Sequence, residues 1–103
     1  MDGLVILARF RIAPGRRQAF LDLVGRNAAA SVADEAGCCR FEVLTEAGGA
    51  EGDVVLYEIY DSPLAFDAHL ASPHFGLFRA ATEGMVLSSS VERLKLRETI
   101  DAA

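Results

Sequence analysis

The order of residue periodicities along this 103-residue chain predicts an α+β sandwich: a four-stranded antiparallel sheet with helices on one face. Three observations carry that expectation. Two-residue alternation over Leu4–Ile12 gives way to an apolar stripe at spacings of three and four, then alternation returns twice before two short helical stretches and a last strand. Two Ser-Pro pairs, Ser62 with Pro63 and Ser72 with Pro73, mark helix starts. Finally, 51% of the residues are apolar, more than a small monomeric domain has interior to hold, so a sheet face is expected to meet a second chain.

In the first strand, Leu4, Ile6, Ala8, Phe10 and Ile12 share one face, while Val5, Leu7, Arg9 and Arg11 share the other. Pro14 and Gly15 end it. The helix from about Arg16 to Asp34 carries Phe20, Leu23, Val24, Asn27, Ala30 and Ser31 on one stripe, and Gly37 is placed where a left-handed cap would stop it. Cys38–Glu46 reads as the second strand, with Cys39, Phe41 and Val43 on one side. Ala47–Gly52 reads as a hairpin turn and Asp53–Tyr60 as the third strand. After Ser62 a helix presents Ala65, Phe66, His69 and Leu70; after Ser72 another bears Phe75, Leu77 and Phe78, with Gly84 at its end. Met85–Arg97 makes the fourth strand. The order β-α-β-β-α-α-β, with helices on one side, is a ferredoxin-like sandwich. Its uncovered face would carry Val5, Leu7, Val55, Tyr57, Ile59 and Val91, and a homodimer packed face to face is the expected remedy.

Composition also excludes. Ten Lys and Arg against fifteen Asp and Glu leave a net charge of −5 and no basic stripe, which argues against a nucleic-acid partner. The longest apolar run, Leu4–Ala8, is far short of a membrane span, and the N-terminus has no secretory pattern. Cys38 and Cys39 are adjacent, a spacing that suits neither an unstrained disulfide nor a zinc site. Two reduced thiols on opposite strand faces, and a cytoplasmic location, are expected.

No phosphate-binding glycine loop, nucleophile elbow or ligand cluster is present in the sequence. His69 and His74 are five residues apart across a helix break, not side by side on one helix, so no metal site is expected. Three polar residues are nevertheless awkwardly placed. Asn27 lies inside the apolar stripe of the first helix, where a buried amide bonds backbone or points into a wet cavity. His69 sits beside Phe66 and Leu70, as a packed core imidazole or a catalytic one. Glu58, between Leu56 and Tyr60, either enters a polar pocket or pairs with an arginine such as Arg9, with pairing favoured. An Asn, a His, a Tyr and several Phe residues facing one sheet would form an apolar pocket with few polar groups, the usual form of a small-molecule site.

The stretch from Asn27 to Phe75 resembles the antibiotic biosynthesis monooxygenase family. The resemblance runs through Asn27 and Ser31, Glu35 to Gly37, Arg40 to Val43, Tyr57 to Tyr60, Ala65 with His69, and Ser72 to Phe75. It implies a dimer with an apolar pocket between helices and sheet. Some members oxidise electron-rich phenolic rings with molecular oxygen, using neither metal nor flavin, because a hydroquinone anion can itself reduce oxygen. Carried onto this chain, the resemblance implies that His69 is the base and Asn27 orients a substrate oxygen. Phe41, Tyr60, Phe75 and Phe78 would line the walls, and Glu58 and His74 would complete the binding site. Haem-degrading relatives need an Asn, a Trp and a His where this chain has Ala8, His69 and Arg79. A relative that isomerises a phosphorylated sugar derivative has a His where this chain has Ala28. The expectation is therefore a cofactor-independent monooxygenase of a small quinol or polyphenol. The alternatives are an isomerase of a small carbonyl compound, phosphorylated or not, and a dimeric binding protein without turnover.

Overall fold

A run of mostly branched apolar residues with Phe10 forms strand β1 (Leu4–Ile12), and Gly15, at φ 78°, turns the chain into helix α1 (Arg17–Asp34). The structure, a computed structural model, describes residues 3–47 and 52–101. There follow β2 (Cys38–Thr45), β3 (Val54–Tyr60), α2 (Pro63–Leu70), α3 (Pro73–Thr82) and β4 (Val86–Lys95). The four strands form one antiparallel sheet in the order β2-β3-β1-β4, the ferredoxin-like arrangement read from the sequence. Most of the expected hairpin turn between Ala47 and Gly52 lies outside the described residues.

Both Ser-Pro signals act as caps. Ser62 Oγ accepts the Ala65 N–H at 3.1 Å and Ser72 Oγ accepts the Phe75 N–H at 3.3 Å, each satisfying a donor that the first helical turn leaves unpaired. The Ser72 hydroxyl also donates to the His69 carbonyl at 2.6 Å, tying the end of α2 to the start of α3. The core lies between the helices and one sheet face. Ile6 and Ala8 of β1 and Val54, Leu56 and Tyr60 of β3 meet Phe20, Val24, Phe66 and Phe78 from the helices.

Three face or cap assignments made from periodicity are corrected. A bulge between Cys38 and Arg40 shifts the register, so Cys38 opposite Tyr60 is buried and Cys39 is exposed; Phe41 and Val43 keep the core face. Val91 pairs with Ala8 and therefore lies on the helix side of the sheet, while Leu94, opposite Val5, belongs to the open face. Gly37 is not a left-handed cap. The helix ends at Asp34 with Glu35 extended, and a Cβ at Gly37 would stand 2.5 Å from the Ala65 Cβ. The glycine is there because α2 crosses it closely.

Candidate active site

The apolar stripe of α1 delivers Asn27 and Ser31 to the sheet, the cap of α2 sets the phase that points His69 inward, and β3 places Glu58 opposite Ile6 and Phe41. Asn27, His69 and Glu58 are each 3% exposed or less, and all three border a cavity of about 730 Å³ between helices and sheet. Phe41, Phe75 and Phe78 supply aromatic wall, with Arg79 and Ser89 at its exposed side. Two of the expected site residues stand behind it. Tyr60 is fully buried beneath Glu58, and His74 lies behind His69.

His69 is held in an aromatic cage. Its ring is stacked on Phe66 at 6.0 Å between centroids, with Tyr60 at 5.4 Å and Phe75 at 5.1 Å. Nδ1 donates to Glu35 Oε2 at 2.8 Å, and the same oxygen accepts from His74 Nε2 at 2.5 Å. A carboxylate only accepts, so this contact assigns a hydrogen to Nδ1, and in the neutral imidazole the lone pair is then on Nε2. Nε2 has no partner among the described residues. Ser31 Oγ, 3.4 Å from Nδ1, gives its own hydrogen to the Asn27 carbonyl at 2.7 Å.

The two histidines thus come together after all, from two helices onto one carboxylate, which spacing along a single helix could not show. The donor atoms of Glu35, His69 and His74 lie within 4.8 Å of one another. At 2.5 and 2.8 Å, the contacts to Glu35 are hydrogen-bond lengths. A tetrahedral zinc ion would spread neighbouring ligand atoms to about 3.3 Å. Glu35 was missed as a functional residue. Its one signal in sequence is an acidic residue at a helix C-terminus, where the helix dipole disfavours it.

Glu58 does not pair with Arg9. The two residues lie on opposite faces of the sheet, and Arg9 meets Asp53 at 3.4 Å. Glu58 Oε1 instead accepts the Tyr60 hydroxyl at 2.6 Å. Burial pushes the Glu58 carboxyl up to about 7; the Tyr60 bond opposes the shift and nearby Glu35 adds to it. Burial, then the adjacent Glu58, drives the Tyr60 phenol strongly upward, so it remains a donor. Burial, then Glu35 and Glu58, raises the Cys38 thiol to about 11, while the exposed Cys39 is raised chiefly by its 2.9 Å bond to Asp61.

Fold and site together define a small ferredoxin-like α+β protein with an imidazole–carboxylate pair at the wall of an apolar pocket. The sequence pattern of the antibiotic biosynthesis monooxygenase family matches residues 3–81, and the chain belongs to that family. Rv0793 of Mycobacterium tuberculosis, whose name proposes a monooxygenase, is 34% identical over 77 residues, covering 75% of this chain and 73% of its own. The solved structure of Rv0793 superposes with a TM-score of 0.79 at 27% identity, covering 99% of this chain and 100% of that one. A Caulobacter crescentus structure described as an antibiotic biosynthesis monooxygenase gives a TM-score of 0.86 at 23% identity, over 94% of this chain and 92% of its own. PA3566 from Pseudomonas aeruginosa gives 0.85 at 20% identity, over 95% and 97%. These last two likenesses concern the fold alone.

Proposed function

We propose that the protein is a monooxygenase that oxidises a small quinol or polyphenol with molecular oxygen and needs no cofactor. The observation that carries this reading is His69, which borders an apolar cavity while its Nδ1 is anchored on the partly buried Glu35. A phenolic hydroxyl seated against Nε2 gives up its proton, and Glu35 stabilises the imidazolium that forms. The ring anion passes one electron to oxygen, and the resulting superoxide and aryloxyl radical join at a ring carbon. The imidazolium returns its proton to the peroxide, and loss of water leaves a ring carbonyl. One oxygen atom enters the ring and the other leaves as water, with all four electrons balanced by the substrate's own C–H and O–H bonds. Phe41, Phe75 and Phe78 hold the ring and exclude water, which favours the electron transfer over hydration of the anion. Asn27, which borders the cavity, orients a hydroxyl through its amide. Adjacent free thiols at Cys38 and Cys39 suit the reducing cytoplasm, and no helix among the described residues is long and apolar enough to cross a membrane.

The test is oxygen uptake by the purified, chelator-treated protein with a panel of small quinols. His69→Ala should lower turnover by about 10²–10⁴-fold with the fold intact by circular dichroism, and Glu35→Gln by less. Ligand-induced stabilisation without oxygen uptake would identify a binding protein instead. Solvent-deuterium exchange into an enolisable carbonyl compound would identify an isomerase.

A further inference from the structure

We propose that Glu58 is a second ligand-reading group, its free carboxylate oxygen taking the hydrogen of one ring hydroxyl while His69 and Asn27 hold another, so that the pocket selects a ring with two hydroxyl donors. The inference rests on the reading of the cavity as a site for a hydroxylated aromatic ring, and deepens it.

Glu58 lies on the core face of a central strand, 3% exposed, yet it borders the cavity. A buried carboxylate is costly unless its lone pairs are met, and it can accept several hydrogen bonds. Tyr60 fills one place on Oε1, while Oε2 has no hydrogen-bond partner among the described residues. Asn27 borders the same cavity with an amide that both accepts and donates. Glu58 Oε2 and, in the neutral imidazole, His69 Nε2 are two acceptors beside a pocket whose other deep walls are apolar.

Apart from the Asn27 amide, interior donors do not match them. The Thr82 hydroxyl is given to the Phe78 carbonyl at 2.9 Å, and Arg79 and Ser89 stand on the exposed side. A ring carrying carbonyls or ethers leaves these acceptors unpaired, whereas each hydroxyl satisfies one. The groups around Glu58 do not neutralise it. Tyr60 on its own strand and Cys38 on β2 are kept protonated by burial, Glu35 at the end of α1 is acidic, and His69 on α2 is committed to Glu35. On β4, the Arg93 guanidinium sits over the Phe66 ring at 5.2 Å. Raised to about 7, the carboxyl is also ready to exchange a proton with a ligand hydroxyl near neutrality.

The experiment is anaerobic titration calorimetry at pH 8, where Glu58 is ionised, with naphthalene-1,4-diol and with 4-methoxy-1-naphthol. The wild-type protein should bind the diol about 10- to 100-fold more tightly than the mono-ether. Glu58→Gln should bring that ratio to about threefold or less, and so should Glu58→Asp, which keeps the charge but withdraws it by one methylene. A ratio that survives in both variants, or a wild-type protein that does not distinguish the probes, overturns the role of Glu58 while leaving the aromatic pocket standing. If neither probe binds the wild-type protein, the reading of the cavity falls and this inference falls with it.

Discussion

At the scale of single residues, the site depends on where polar groups are forced to be. Asn27 and His69 were legible because each interrupts an apolar stripe, and a polar side chain there needs a partner or a ligand. Glu35 was not legible, since a lone carboxylate at a helix end is ordinarily solvated, and only tertiary folding puts it against His69 and His74. Glu58 reads as entering a polar pocket or pairing with an arginine, and the favoured pairing with Arg9 fails because it ignores the alternation that sends the two to opposite faces. Its burial has a consequence for stability. The folded state raises the carboxyl from the ordinary 4.5 to about 7 and so holds the proton more tightly than the unfolded chain. The contribution is therefore full below about pH 4.5 and is lost as pH rises through 7, a change of about 3 kcal/mol at most. Urea denaturation of wild type and Glu58→Gln across pH 4.5–8 checks this: the variant should gain on wild type as pH rises. A difference that stays constant would show that Glu58 titrates as in the unfolded chain.

At the scale of elements, strand and helix order followed from periodicity and the two Ser-Pro caps, and each observed boundary lies within two residues of its reading. What periodicity could not give was the phase after a bulge. One extra residue near Cys38 and Cys39 exchanges their faces, and the run Ser88–Arg97 alternates too weakly to say which side Val91 takes. Gly37 shows the same limit, since a glycine after a helix reads as a cap whether it serves conformation or close approach. The two roles predict different outcomes. Gly37→Ala drives a methyl into Ala65 on the helix that carries His69. It should cost about 1–3 kcal/mol in thermal or urea unfolding and disturb the pocket. Gly25→Ala is the contrast. That glycine is exposed inside α1 with nothing within 4 Å of an added Cβ, so the exchange should stabilise by about 0.4–1 kcal/mol. Equal effects at the two positions would remove the argument from close packing.

At the scale of the whole molecule, every helix lies on one side of the sheet, and the other side is left with Leu7, Val55, Tyr57 and Ile59 at its centre, half-buried in the isolated chain. Leu44 on β2 and Leu94 on β4 extend this apolar surface to both edges, each more than two-fifths exposed. Of the charges on this face, Arg9 and Arg11 meet Asp53 and Arg40 meets Glu42, while Glu92, opposite Leu7 on β4, has no ion pair among the described residues and would need a partner across an interface. An apolar core with a polar rim is the anatomy of a protein interface. A homodimer is the expected state, measured as twice 11.0 kDa by sedimentation equilibrium at micromolar concentration. Leu7→Asp should give a monomer or abolish folding, because a carboxylate without a partner in that interface costs several kcal/mol. Val91 cannot serve for this test, since it faces the helix side. Leu64, 78% exposed on α2, serves as the control, and Leu64→Asp should leave the dimer intact. A wild-type monomer, or a Leu7→Asp protein still dimeric, would mean that the sheet face is tolerated in water and that the subunits, if they meet at all, meet elsewhere.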